Sequence, residues 1–361
     1  MRIKTVTITV TFALLLIGLS ACQQGTETSV TTAGRDRNIY TSADLEGFVD
    51  KYMDAMQAQR VDLSLFARDV RFTENGVQMP LGEEGLWSNM VGRGNYRFYV
   101  PDVETNQVGY IGTAREESNT NSDGDLVAVA LRLKIVNDLI TEVEQLVTRA
   151  EGGGPGGPGG GGAAVERLGS PNPLWKEVIP EANRPSREEL ITTTNKYYTG
   201  MQQNDGRWDY SFFADDCHRI ENGTPTTNVP LQAGQARPDP QTSITYSMAW
   251  GCREQFESGL LHFVNRIRDR RFFAVDREHG IVFAFGFFDH SAGKTRHFTA
   301  HGREVVNGPI SPWTWQIAQV FKIENNQISW IEATLHRAPF GTNSGWSTFE
   351  KGWSDEMQIV K

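Results

Sequence analysis

The sequence lacks the signatures of several common classes of protein. It has no glycine-rich phosphate-binding loop, no Cys-x-x-Cys pair and no Ser-His-Asp set at a usable spacing, and it has only three cysteines. The formal net charge of −9 is spread along the chain, so no basic patch predicts a nucleic-acid partner. We therefore expect no metal site, no cofactor and no nucleic acid.

The apolar run at the start of the chain is too short to span a membrane. Arg2 and Lys4 precede this run, which ends at Leu19. Such a run behind positive charge is typical of a secretory signal rather than of a membrane helix. We expect residues 1–21 to form a signal peptide and the protein to be exported.

The signal region ends in Leu-Ser-Ala-Cys, which resembles the lipoprotein box of bacteria. The resemblance implies lipid on the thiol of Cys22. Gln23 at the next position implies a periplasmic protein anchored in the outer membrane through this lipid alone. Residues 22–40 are polar and would form a flexible tether. The alternative is an ordinary signal peptide with an incidental cysteine.

Two further cysteines, Cys217 and Cys252, remain for other roles. An exported compartment is oxidising, so we expect them to form a disulfide. The loop-entropy estimate gives this bond roughly 3 kcal/mol of stabilisation. A catalytic or metal-bound thiol is the alternative.

A glycine-rich connector divides the chain into two halves. Residues 151–162 read EGGGPGGPGGGG, and the next stretch is rich in proline and asparagine. Such a segment cannot pack into a core, so we expect a linker over residues 151–185. It separates a first domain at 41–150 from a second at 186–361.

The two halves repeat one another. Residues 51–76 match residues 196–223 at thirteen identical positions, with one insertion of two residues. The repeated end reads FARDVRFTENG in the first half and FADDCHRIENG in the second. Two later segments match in the same order: 102–112 with 276–286, and 134–149 with 322–337. The chain is therefore an internal duplication.

Each half shows helix signals before strand signals. Apolar residues recur at helical spacing in residues 190–201, and a second short helix is expected around 208–215. A strand ending in Asn-Gly follows, and then come alternating segments at 281–290, 313–323 and 328–337. Helices followed by an antiparallel sheet predict an α+β fold.

The Tyr-bearing helix, the FADD segment and the hairpin FKIENNQISWIEA resemble the nuclear transport factor 2-like superfamily, which includes SnoaL-like cyclases and ketosteroid isomerases. The resemblance covers roughly residues 42–150 and 186–340. It implies two cone-shaped domains, each a curved antiparallel sheet packed on N-terminal helices around an apolar pocket. Many members of the superfamily only bind ligands or dimerise, so fold alone does not decide function.

The resemblance also implies three catalytic positions. The isomerase carboxylate aligns with Glu221, and the helix Tyr, 24 residues earlier, aligns with Tyr197. Glu221 would take a proton from carbon, while Tyr197 would donate to the oxygen on which charge develops. The second donor is an acid in the family but is Gln319 here, which can still donate a hydrogen bond.

Aromatic residues surround these positions in the sequence. Trp313, Trp315 and Phe321 alternate in phase with Gln319, and we add Tyr198 and Trp330 to the residues expected to bind a small hydrophobic ligand. The alternatives are structural: Glu221 could lie in solvent at a turn, Tyr197 could be a satisfied core residue, and the aromatic residues could form a plain core.

The two copies differ in their histidines. All seven histidines lie in the second copy, and His290 and His336 are candidates for a second acid–base group, with a structural or surface role as the alternative. Leu131 occupies the first-copy position of Gln319, so we interpret the first copy as degenerate. The run RIRDRR at 266–271 predicts a solvated face, or else a site for a carboxylate-bearing ligand.

These observations predict a cofactor-independent lyase, such as a dehydratase, or isomerase that acts on a hydrophobic or aromatic oxygenated compound. A non-catalytic ligand-binding or assembly module of the same fold is the alternative. The two domains would pair within the chain, or the chain would form a homodimer.

Overall fold

Helices and two large, mostly antiparallel sheets make up the fold, whose class is α+β. The computed structural model describes residues 40–150 and 161–361, and these residues belong to one compact unit. The expected signal peptide, the lipidation site Cys22, nearly all of the tether and most of the glycine run lie outside the described residues.

The first half begins with a capped helix and continues as a six-stranded sheet. Thr41 and Asp44 form a capping box, in which each side chain accepts the other's backbone N–H. The elements are α1 (Ser42–Gln57), β1 (Phe66–Glu74), β2 (Val77–Gln78), α2 (Leu86–Asn89), β3 (Met90–Asp102), β4 (Gln107–Glu116), β5 (Asp125–Val136) and β6 (Leu139–Thr148). Across the sheet the strand order is β2-β1-β6-β5-β4-β3, and β1 and β6 form its parallel pair.

The second half starts after a short linker helix and has a seven-stranded sheet. Ser186 and Glu189 repeat the capping box at its first helix. The elements, including those of the linker and the C-terminal segment, are α3 (Gly162–Arg167), α4 (Arg187–Gln202), β7 (Phe213–Glu221), β8 (Thr224–Pro225), α5 (Cys252–Glu257), β9 (Arg266–Asp276), β10 (Ile281–His290), β11 (His297–Ala300), β12 (Arg303–Val306), β13 (Trp313–Glu324), β14 (Gln327–Ala338), α6 (Phe349–Trp353) and β15 (Met357–Ile359).

The strand order repeats between the halves. The second sheet has the order β15-β9-β10-β13-β14-β7-β8, in which β7 and β14 are parallel as β1 and β6 are in the first. Both Asn-Gly turns have positive φ at each residue: 50° and 81° at Asn75-Gly76, and 48° and 74° at Asn222-Gly223. Positive φ at both central positions is typical of a tight hairpin turn.

The expected short helix around residues 208–215 is absent. The Asp209 carboxylate accepts the N–H of Ser211 in a local turn, and β7 has already begun at Phe213. Phe213 is recruited into the sheet by parallel pairing with Ile328. Pairing with a distant strand has therefore overridden the local helical pattern.

Each sheet packs one face against its own helix, and we call this its inner face. The outer faces of the two sheets meet in a shared hydrophobic cluster that also includes Trp175 of the linker. Alternate residues of β13 show the division: Ile317 and Phe321 belong to the core under α4, whereas Ala318 and Val320 belong to the shared cluster.

The arginine run at 266–271 is not a solvated face. Its residues form the first part of β9, and Arg268 is fully buried with its guanidinium 2.9 Å from the carboxylate of Asp289. Arg271 makes two bonds, of 2.5 and 2.7 Å, to Glu144 of the first sheet. Carboxylates from other strands pair these charges, and such pairing makes burial of charge tolerable.

The second half carries two insertions that contact each other. A long loop over residues 226–251 precedes α5, and the β11–β12 hairpin follows β10. Trp250 from the loop and Val305 from the hairpin share a small hydrophobic cluster.

None of the helices in the described ranges is both long enough and apolar enough to cross a membrane.

Candidate functional site

The strand register of the second sheet places two of the expected catalytic residues in one row. Glu221 pairs with Ala333, Ala333 with Gln319, and Gln319 with Ala284. Adjacent strands are about 4.8 Å apart, so the backbones of Glu221 and Gln319 are roughly 10 Å apart. Only the methyl group of Ala333 stands between them in the row.

Tyr197 reaches the same region from α4. Its hydroxyl accepts a hydrogen bond from Arg219 at 3.4 Å. The pKa of Tyr197 is raised, chiefly by burial. The charge of Arg219 and the amide of Gln319 act to lower this pKa, and the charge of Glu221 acts to raise it. The structure therefore brings Glu221, Tyr197 and Gln319 together.

Arg219 is the organising residue of this region, and sequence reasoning missed it. Its side chain is 3% exposed, and it donates to Thr226 at 3.0 Å, to Tyr246 at 2.8 Å and to Gln255 at 2.6 Å. Its Nε lies 3.6 Å from Oε1 of Glu221. Burial alone would lower the pKa of Arg219, but Tyr246, Glu221 and Tyr197 raise it above its usual value.

One sequence signal could have identified Arg219. The aligned residue in the first copy is Phe72, a buried core residue. Arg219 is two positions before Glu221 on the same strand, so both side chains face the same side of the sheet. A charge that replaces an apolar residue at an inward position predicts a buried polar cluster.

Glu221 occupies the end of β7 without extending into solvent. Only 12% of its side chain is exposed, and its nearest basic group is Arg219. The turn that follows begins at Asn222, whose side chain is held by the backbone of Leu335 through bonds of 2.9 Å in both directions. Glu221 thus differs from the solvent-exposed turn residue of the alternative interpretation.

Gln319 is buried and has unpaired polar atoms. Neither its amide oxygen nor its nitrogen has a hydrogen-bond partner of normal geometry among the described residues, and the same holds for the hydroxyl of Tyr198. Buried polar groups in native proteins nearly always have a partner. Gln319 lies close enough to the Tyr197 hydroxyl to lower the pKa of Tyr197, although no well-formed bond joins the two side chains.

The first half has the same row, but its groups are paired. Glu74, Gln145, Leu131 and Tyr110 replace Glu221, Ala333, Gln319 and Ala284.

A chain of hydrogen bonds closes this first-half region. The Tyr52 hydroxyl donates to the side-chain amide oxygen of Gln145 at 2.9 Å, and the amide nitrogen of Gln145 donates to the Glu74 carboxylate at 3.0 Å. The guanidinium of Arg149 donates to the same carboxylate at 3.1 Å. Larger side chains also take the positions of the two alanines. The first-half arrangement is therefore suited to a structural role.

The three expected aromatic residues of β13 lie at two places on the inner face. Phe321 is beside the row, with its ring 5.3 Å from Tyr197 and 5.8 Å from Tyr198. Trp313 and Trp315 lie further along β13; four residues of strand separate Trp315 from Gln319, a distance of about 13 Å.

His290 belongs to this second aromatic group and is remote from Glu221. Its ring stacks on Trp313 at 3.8 Å and lies 4.7 Å from the ring of Trp315. Burial lowers the pKa of His290 to about 4, so the imidazole is neutral at physiological pH.

Trp330 and His336 cannot share a site with Gln319. They pair with Lys322 and Gln316 respectively, and these residues differ from Gln319 by an odd number of positions on β13. Because side chains alternate along a strand, Trp330 and His336 lie on the outer face. His336 lies 3.1 Å from the Gln316 carbonyl, and burial lowers its pKa to about 4.

The expected disulfide joins Cys217 of β7 to Cys252 at the start of α5, with Cα atoms 5.6 Å apart. It fastens α5 to the strand that bears Arg219. Gln255, on the same short helix, is one of the acceptors for Arg219. The disulfide therefore helps to hold Gln255 beside Arg219.

Within the described ranges, no three His, Cys, Asp or Glu side chains are placed to share a metal ion. His297 and His301 have a spacing that would put both on one face of a helix, but His297 begins β11 and His301 lies in the following turn. His301 instead contacts the backbone carbonyl of Glu257 at 2.6 Å.

Comparison with known proteins adds one family match. Residues 183–335 match a family described as a domain of unknown function (DUF8021). No curated protein matches the chain.

Two solved structures share weak similarity. A de novo designed protein with a curved β-sheet is 12% identical with a TM-score of 0.24, over 42% of this chain and 88% of its own. AclR from Streptomyces galilaeus is 11% identical with a TM-score of 0.25, over 42% of this chain and 91% of its own.

Proposed function

We propose that the second half of the chain is a cofactor-independent lyase or isomerase for a small hydrophobic or aromatic oxygenated compound. The observation that carries the proposal is the grouping of Glu221, Tyr197 and the unpaired Gln319 around the small side chain of Ala333. A ligand oxygen beside Gln319 would give its amide a well-formed hydrogen bond, which it lacks among the described residues.

In this scheme Glu221 takes a proton from a carbon next to the ligand's oxygen-bearing carbon. The guanidinium of Arg219 lies 3.6 Å from this carboxyl group. Tyr197 and Gln319 donate hydrogen bonds to the oxygen as negative charge develops there. Glu221 then returns the proton to a second carbon in an isomerase, or the ligand loses a leaving group in a lyase.

The proposal includes a finer description of the fold. Each half would be a cone of the nuclear transport factor 2-like kind, with the first cone closed by its own side chains and serving as a partner to the second. The shared cluster between the outer faces would take the place of a homodimer interface. The protein would be exported and held in the periplasm by lipid on Cys22.

A non-catalytic binding module is the second candidate. The observation that favours it is the charge balance of the site, because Arg219 already neutralises Glu221. Such a module would use Gln319 and Tyr197 for recognition and would perform no proton transfer.

The test measures proton transfer directly. Aromatic ketones are incubated with the protein in D2O, and exchange of their α-hydrogens is followed by NMR. We expect catalysed exchange that Glu221→Gln abolishes, while Asp215→Asn, at a 91% exposed carboxylate of the same strand, leaves it unchanged.

Two results would separate the candidates. Exchange that survives Glu221→Gln would show that the mechanism is wrong. Ligand binding that needs Gln319 but never leads to exchange would identify a binding module.

A further inference from the structure

A separate cavity lies on the outer face of the second sheet, away from Gln319. Its volume is about 620 Å³, a size that accommodates a small molecule. The linker bounds it on one side, and β7 and the turn between β13 and β14 bound it on the other. The residues that matter here are Trp330, Ser329, His218, Asp216, Glu177 and Glu324.

An aromatic pair forms the floor of this cavity. Trp330 and His218 pair across β14 and β7, with ring centroids 5.1 Å apart. The indole nitrogen of Trp330 and the hydroxyl of Ser329 are buried atoms without a hydrogen-bond partner among the described residues. The floor is therefore aromatic, and the two unpaired polar atoms are buried beside it.

The rim of the cavity is acidic. Asp216, Glu177 and Glu324 line it, and none of the described residues that line it is a lysine or arginine. Lys322 lies close by, but its ammonium group donates to the backbone carbonyls of Glu177 at 2.9 Å and His279 at 2.6 Å. The three carboxylates outnumber this one nearby ammonium group, so the net charge around the cavity is negative.

We propose that this cavity binds a small organic cation, of the size of choline or a short polyamine. A positive group over the face of Trp330 gains cation–π attraction, and the carboxylates of the rim add charge complementarity. The inference does not depend on the proposed catalytic function, because the two sites lie on opposite faces of the sheet.

Isothermal titration calorimetry with the full chain tests this proposal. The probes are choline, spermidine and 3,3-dimethylbutan-1-ol, a neutral molecule with the shape of choline. We expect both cations to bind and the neutral molecule to bind at least about tenfold more weakly, since it gains neither the cation–π nor the ionic attraction.

Variants locate the binding. Trp330→Leu should weaken the binding of both cations by about 2- to 5-fold, because one exposed cation–π contact is lost. Glu324→Gln combined with Asp216→Asn should weaken them further. Asp215→Asn changes charge on the same strand outside the cavity, beside Arg253, and should have no effect.

Three results would overturn the proposal. The first is that the neutral molecule binds with the same affinity as choline. The second is that spermidine alone binds and Trp330→Leu does not change its affinity. The third is that neither cation binds at millimolar concentration. Circular dichroism of each variant separates loss of binding from loss of folding, and His218→Gln offers a second change in the floor if Trp330→Leu fails to fold.

Discussion

The hydroxyl of Tyr96 on the first sheet donates a hydrogen bond to the carboxyl group of Glu332 on the second. Both side chains are buried where the outer faces meet. Burial raises the pKa of Glu332 to about 7, so this contact between the halves titrates near neutral pH.

The contribution of Glu332 to the free energy of unfolding should fall as the pH rises from about 5 to about 8. A carboxyl group whose pKa is higher in the folded state stabilises the fold fully below its unfolded pKa, and that stabilisation is lost as pH passes the folded pKa. The expected loss is on the order of 2–3 kcal/mol. Urea unfolding at a series of pH values measures it.

Glu332→Gln provides the control for this pH dependence. Glutamine can still accept the hydrogen bond from Tyr96 but does not titrate. The variant should lack the part of the pH dependence that comes from ionisation of Glu332 in the parent protein. Equal slopes for the two proteins would mean that Glu332 ionises without cost to the fold.

Removal of the disulfide should destabilise the protein. The bond joins Cys217 to Cys252, 35 residues apart, and replacement of both by serine should lower the free energy of unfolding by roughly 2–4 kcal/mol. A reductant should lower the stability of the parent protein by a similar amount and leave the double serine variant unchanged. A parent protein that is insensitive to reductant while still forming the bond would contradict this prediction.

Gln319→Leu should stabilise the protein. The substitution installs the residue that the first copy has at Leu131 and removes a buried amide that has no well-formed hydrogen bond among the described residues, for a gain of about 1–2 kcal/mol. The reverse change, Leu131→Gln, should cost about 2–4 kcal/mol because it buries an amide in an apolar site. Thermal unfolding of both variants measures the pair, and a loss of stability in Gln319→Leu would show that the amide is already satisfied.

Arg219 and Glu221 should be energetically coupled. Arg219→Met should destabilise the protein by about 2–4 kcal/mol, since it leaves polar partners and a nearby carboxylate without their donor. Glu221→Gln in that background should then cost less than in the parent protein, with a coupling of about 1 kcal/mol. A double-mutant cycle by urea unfolding gives this value, and additive effects would mean that the two side chains act separately.

Several elements of the structure followed from local sequence patterns. The helix at residues 190–201, the Asn-Gly turns and the long alternating strands such as Trp313–Glu324 were expected because turn chemistry and periodicity act over a few residues. The short helix expected around 208–215 was wrong because a parallel strand, distant in sequence, pairs with that segment.

The site was foreseen only in part. Alternation placed Gln319 and Phe321 on one face correctly, but it could not show that Trp330 and His336 face the other way, since that depends on how β14 is registered against β13. The arginine run at 266–271 resembled a surface because its partners, Asp289 and Glu144, come from other strands.

By itself the sequence determined the duplication, the α+β class and the pairing of Cys217 with Cys252, because these follow from repeated residues, local periodicity and a small number of cysteines. Only the tertiary structure decided that Gln145 bonds to Glu74 in the first half while Gln319 lacks a well-formed hydrogen bond among the described residues, that Arg219 holds Tyr197 near Glu221, and that the outer faces of the sheets meet. Those features depend on register and on contacts between distant segments, which the order of residues along the chain does not reveal.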